Sequence, residues 1–273
     1  MSSTDEEFAV RRWKVRFLLL GFLCGVLYFT EQRFNFFRLR SLEITPSGVV
    51  ADSVVWQAVP KSAEAFWLSL VFSREGFAKK IEGFLPVEVR VRIRGWGRYR
   101  ISLTPLETFL YVSWRSRMWL LSTNGRMWLA NLPSSARVKG LATPKEPILV
   151  WDEALVLPID PEGQEGDIYQ SSLPVAKITK WYDMIKKIGW HDDVYCLIAK
   201  KIDGRPVVQL LFGSENGVTG EVILQEGTTN WMSLAKALSE LYPDAKHKIP
   251  PGLVVNATFS DMKFTYSDRK SVV

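Results

Sequence analysis

The sequence predicts an α+β protein: a single N-terminal transmembrane helix, a small β-α-α-β-β unit, and a larger, mainly antiparallel β domain with a late C-terminal helix. Three observations carry this reading. Residues 17 to 30 form a run of fourteen uncharged, mostly apolar residues. Val87, Val89, Val91 and Ile93 alternate with Glu88, Arg90, Arg92 and Arg94, the period of a half-buried strand. Beyond Leu103, short apolar runs separated by turn residues dominate, interrupted by two helical stripes.

With 273 residues, 47% hydrophobic and 23% charged, the chain is long enough for two folded domains. A mean hydropathy near zero excludes wholesale disorder and a multi-span channel. The net charge of +6 is spread along the chain, so it favours anionic surfaces without requiring nucleic acid, and no nucleic-acid partner is expected. Two cysteines make no disulfide framework. Cys196, in the run VYCLIA, reads as a small buried hydrophobe.

Fourteen helical residues rise about 21 Å, short of the roughly 30 Å hydrocarbon core. The flanks extend the run. Trp13, Lys14 and Arg16 can follow the same helix with the cations snorkelling, and Phe34, Phe36 and Phe37 suit the other interface, so residues 13–34 are expected to form a transmembrane signal anchor. Its lipid-facing residues would be Trp13, Phe17, Leu18, Leu19, Leu20, Phe22, Leu23, Val26, Leu27, Tyr28 and Phe29. The following LYFTEQRFNFF lacks the small residues a signal peptidase needs. Phe17 to Phe29 also lacks the polar face of a core helix. The basic cluster Arg11, Arg12, Lys14 and Arg16 places residues 1–12 as a cytoplasmic tail and the bulk of the chain outside.

After the anchor, RSLEIT reads as a strand and Pro46 with Gly48 as a turn. ADSVVWQAV follows as a helix with Asp52 or Ser53 as N-cap, then SREGFAKKIEGFL as a helix behind Ser73, stopped by Pro86. The alternating strand and Gly95-Trp96-Gly97 then make a hairpin with RYRISL, completing a domain over 39–104. The arginine face of that hairpin suits solvent, lipid headgroups or a partner protein. A β domain over 105–266 contains TFLYVSW, a hairpin around Asn124-Gly125, PILVWDEALVLPI, VYCLIAKK, VVQLLF, EVILQ, LVVNATF and MKFTY. Its helices cover VAKITKWYDMIKKIGW and TTNWMSLAKALSELY, and 267–273 form a tail.

Catalytic chemistry leaves little trace. His191 and His247 are the only histidines, neither has metal-ligand spacing, and no nucleophile elbow, P-loop or dinucleotide fingerprint is present. No catalytic, cofactor-binding or metal residue, no cofactor and no small-molecule substrate is expected. The His191-Asp192-Asp193 cluster reads as a solvated turn before a cation site. Of eleven tryptophans, Trp114, Trp119 and Trp128 are the closest cluster and read as core packing before a glycan platform. The sequon Asn256-Ala257-Thr258 falls inside an expected strand.

The order of these elements, with FLPVEVRVRI, RYRISLTPLETFLYV, WLLSTNGRMW and the ending VVQLLFGSENGVTGEVILQEGTTNWMSLAKALSEL then LVVNATFSDMKFTY, resembles the FtsQ/DivIB family of bacterial cell-division proteins. Pro105-Leu106-Glu107-Thr108 and Ser122 depart from that family's pattern. The resemblance implies a bitopic, non-enzymatic divisome scaffold in the bacterial inner membrane at the division site, with a POTRA-like domain at 39–104. It implies FtsB/DivIC-like and FtsL-like coiled-coil proteins as partners, and a C-terminal strand that accepts a partner strand, with Phe259, Met262, Phe264 and Tyr266 as contact residues. A POTRA-containing subunit of a secretion or pilus assembly is the alternative, followed by a membrane-anchored cell-wall enzyme or sensor.

Overall fold

The computed structural model describes residues 3–34, 37–160, 166–214, 217–243, 249–250, 252–258 and 263–266. The chain divides into two compact units, Met1–Ile81 with Val89–Leu103, and Glu82–Glu88 with Thr104–Val273.

The first unit begins with α1, Ser3–Phe34. Among the described residues, no helix is long and apolar enough to cross a membrane, which overturns the expected transmembrane signal anchor over 13–34. Its charged bounds are the reason. Arg16 and Glu31 leave about 21 Å of uncharged helix between them. Glu31 is also committed to the chain beyond the helix, accepting the Phe37 N–H at 2.6 Å and lying 3.9 Å from the Arg38 guanidinium. The residues expected to face lipid, Trp13 and those from Phe17 to Phe29, are exposed all round the helix, from 41% at Leu27 to 74% at Leu18.

β1 (Ser41–Thr45), α2 (Asp52–Ala58), α3 (Lys61–Ala65), α4 (Leu68–Phe84), β2 (Val87–Gly95) and β3 (Arg98–Pro105) follow. The sheet order is β1-β3-β2, with β1 parallel to β3 and Ile44 opposite Ile101. Alternation decides what is buried: Val89, Tyr99, Ile101 and Leu103 of the strands are buried, as are Val55, Leu70, Phe77 and Ile81 of the helices. Three details differ from the sequence reading. α2 has Ala51 at its N-cap with no side-chain cap bond, α3 is an added helix behind Pro60, and α4 starts five residues before Ser73. Ser73 is therefore inside the helix, where its hydroxyl donates to the Ser69 carbonyl at 2.8 Å.

The second unit holds β4 (Thr108–Trp114), β5 (Arg117–Ser122), β6 (Arg126–Leu129), β7 (Ile148–Trp151), β8 (Tyr169–Gln170), α5 (Val175–Lys187), β9 (Val194–Ile202), β10 (Arg205–Ser214), β11 (Gly217–Gln225), α6 (Trp231–Leu241), β12 (Leu253–Ala257) and β13 (Lys263–Tyr266). All ten strands join one sheet in the order β13-β12-β11-β10-β9-β7-β4-β5-β6-β8. Three of its pairings, β4 with β7, β7 with β9 and β11 with β12, are parallel and the other six are antiparallel, so the sheet is mixed but mainly antiparallel. Two of those parallel pairs are connected through helices, α5 between β7 and β9 and α6 between β11 and β12, as parallel neighbours require.

α5 and α6 cover one face of this sheet. Ile178, Trp181, Tyr182 and Ile185 of α5, with Trp231, Leu234 and Leu238 of α6, join Leu110, Leu149, Leu197, Leu210 and Val255 in the main core. A second cluster of Leu106, Leu120, Trp128 and Ile168 lies on the opposite side of β5 and β6. The register explains the split: Leu120 faces Trp128, while Leu121 faces Met127 of the main core. Trp114, Trp119 and Trp128 are all buried, which makes them packing residues and not a glycan platform.

Candidate interaction site

The large sheet ends at β13. Its inner neighbour β12 has Leu253 and Val255 buried in the core, and the antiparallel register sets Tyr266 opposite Leu253 and Phe264 opposite Val255. Directly opposed positions share a sheet face, so positions 264 and 266 belong to the face that carries the core. The other two expected contact residues, Phe259 and Met262, lie outside the described residues. What β13 offers a partner is therefore first its backbone: as the terminal strand in the sheet order it has one paired edge and one outer edge.

Several residues that sequence periodicity does not mark hold this end of the sheet in place. Gly220 of β11 sits where a Cβ would come within 3.0 Å of the Ile249 side chain and 3.2 Å of the Leu253 carbonyl. The missing side chain lets Ile249 and Leu253 settle against β11, with the Gly252 N–H donating to the Thr219 carbonyl at 2.6 Å. At the far end of β12, the Asn256 side-chain oxygen accepts both the Thr258 N–H at 3.1 Å and the Thr258 hydroxyl at 2.6 Å. Gln225 of β11 donates to the Thr258 carbonyl at 2.8 Å. The sequon asparagine is thus an internal turn former.

α6 supports the same end from below, its Trp231 indole donating to the Gln225 carbonyl at 3.2 Å. The neighbouring Trp181 indole donates to the Glu226 carbonyl at 2.9 Å, and Lys177 pairs with the Glu226 carboxylate at 2.5 Å. Between the end of α5 and α6 lies a cleft of about 730 Å³, lined by Lys187, Trp190, Met232, Lys236, Tyr242 and Ile249 among others. Its described lining holds Lys187 and Lys236, the hydroxyl residues Ser233, Ser239 and Tyr242, and apolar groups, with no carboxylate among the described residues.

Away from the edge, the groups weighed for chemistry are engaged with one another. His191 Nε2 lies 2.9 Å from Glu146, its Nδ1 lies 3.1 Å from Asp192, and Lys186 donates to Glu146 at 2.6 Å. A lysine sharing the carboxylate makes this a surface ion-pair network. Among the described residues no group of three or more His, Cys, Asp or Glu is placed to hold a metal ion. Cys196 is buried in β9, and burial pushes its thiol up to about 11, which keeps it protonated and inert at neutral pH. Burial likewise raises the Tyr182 phenol well above its usual value, and its hydroxyl donates to the Pro147 carbonyl at 2.8 Å.

No family model matches the chain, and no curated protein matches it.

Proposed function

We propose that this chain is a non-enzymatic scaffold of the bacterial cell-division machinery, acting at the division site of the envelope and helping to recruit and regulate septal cell-wall synthesis. Its partners are FtsB/DivIC-like and FtsL-like coiled-coil proteins. The observation that carries the proposal is β13, a four-residue strand at the end of a ten-stranded sheet. A partner segment in extended form can pair with that edge through main-chain hydrogen bonds, and side chains nearby supply selectivity. The resemblance of the element order and of FLPVEVRVRI to the FtsQ/DivIB family supports the choice of partner class.

Depletion followed by microscopy tests the cellular role: a divisome scaffold predicts filamentous cells and midcell banding of a fluorescent fusion. Normal division on depletion would overturn it. At the molecular level, Phe259→Ala with Tyr266→Ala weakens capture of a coiled-coil partner in a pull-down while the fold is retained. Unchanged capture by the folded double variant would remove the β13 assignment.

A further inference from the structure

Within the first unit, the tip of the β2–β3 hairpin gathers exposed aromatic rings and arginines. Trp96 occupies the turn, 58% exposed, its ring edge-on to Trp67 at 5.7 Å. Phe66 is 42% exposed and lies 5.7 Å from the Phe37 ring, and the Trp67 N–H donates to the Phe37 carbonyl at 2.7 Å, so buried Trp67 links exposed Trp96 to exposed Phe66. The cations stand beside it. The Arg40 N–H donates to the Gly97 carbonyl at 2.7 Å, which runs Arg40 alongside the turn, and Arg94 and Arg98 flank Trp96 at two residues on either side. Arg38 is close by with its partner Glu31, and Glu64 is tied in through its carbonyl, which accepts the Leu39 N–H at 3.3 Å. Four arginines thus stand against two carboxylates.

We propose that this pole docks on an anionic lipid surface, with Trp96 and Phe66 entering the headgroup boundary and Arg40, Arg94 and Arg98 pairing with lipid phosphates. The chemistry of the groups selects that occupant. Tryptophan favours the boundary between headgroups and acyl chains, where an apolar ring with one polar N–H is satisfied at both ends. Arginine forks match phosphate oxygens, and each basic group near an anionic leaflet strengthens binding about fivefold. A hairpin tip is convex, whereas single-stranded nucleic acid is held along a groove with bases stacked in succession. The inference stands apart from the division role and does not depend on it.

The test is flotation of the full chain with vesicles of phosphatidylcholine alone and with about one third phosphatidylglycerol. Since α1 carries its own exposed apolar residues and the cations Arg11, Arg12, Lys14 and Arg16, the quantity that reads the pole is the change in the ratio of the two affinities when its own arginines are replaced. The wild-type ratio is expected to be on the order of 100 in favour of anionic vesicles and to fall as salt is raised. Arg94→Gln with Arg98→Gln should cut the ratio about 25-fold. Trp96→Ala should weaken binding to both vesicle types. A wild-type ratio near one, a ratio insensitive to salt, or an unchanged ratio in the folded double variant overturns the proposal. Displacement of the anionic vesicles by a single-stranded oligonucleotide at equal phosphate concentration would assign the pole to nucleic acid and overturn it as well.

Discussion

Tyr99 ties the first unit together through one atom. Its hydroxyl donates to the Trp67 carbonyl at 2.7 Å from a buried site on β3, and burial pushes its phenol up to about 12. The unfolded phenol titrates near 10, so the contribution of neutral Tyr99 is complete below that pH and is lost as the pH climbs toward about 12. Tyr99→Phe should cost about 1 kcal/mol at neutral pH from the lost hydrogen bond. The same variant should lose less stability than wild type between roughly pH 10 and 12, read from urea midpoints across that range. A parallel loss in the two proteins would disprove the coupling. Gly97 supplies a second check in the same unit. With φ at +64° and a Cβ that would sit 2.6 Å from the Arg38 carbonyl, Gly97→Ala should destabilise by about 2 kcal/mol in denaturant unfolding. The cysteines make a third. Native labelling with iodoacetamide near neutral pH should modify exposed Cys24 and leave buried Cys196 unmodified until the chain is denatured.

At the scale of elements, the crossover from β11 through α6 to β12 decides where the sheet ends. Gly220→Val would push a branched side chain into the Ile249 and Leu253 contacts and lift β12 away from β11. The expected cost is about 2 kcal/mol, with loss of partner capture at β13, measured by denaturant melts and by pull-down on the same preparation. Retained capture at that cost would mean that β13 is held independently of the crossover. The elements of this crossover are legible in the sequence as EVILQ, TTNWMSLAKALSELY and LVVNATF, but the close approach at Gly220 is not. The Val and Arg alternation of β2, the stripe of Trp231, Leu234 and Leu238 in α6 and the Asn124-Gly125 hairpin are local patterns, and the sequence displays them directly. The parallel pairings of β7 and β12, the added helix α3 and the two-residue β8 depend on which distant segment covers which, and leave no periodic mark. The same limit applies to α1: an uncharged run was visible, but Glu31 closing onto Phe37 and Arg38 was not.

For the molecule as a whole, the ten-stranded sheet implies a gradient of local stability that a partner would alter at one end. β9 and β10 lie inside the sheet between other strands and bury Leu197, Val208 and Leu210 completely, whereas β8 and β13 each have a single neighbour among the described residues. Backbone amides in the interior strands should open only with global unfolding, and those of the terminal strands by local fraying at far smaller free energy. Hydrogen exchange on the free protein should therefore be slowest in β9 and β10 and fastest in β8 and β13. The two ends then serve as mutual controls. Pairing of a partner strand with β13 completes its outer hydrogen bonds and should slow exchange there by at least about tenfold, while β8 keeps its free rate. Protection appearing at β8, or evenly across the sheet, would mean that the partner does not extend this sheet at β13, and the scaffold proposal would lose the surface on which it rests.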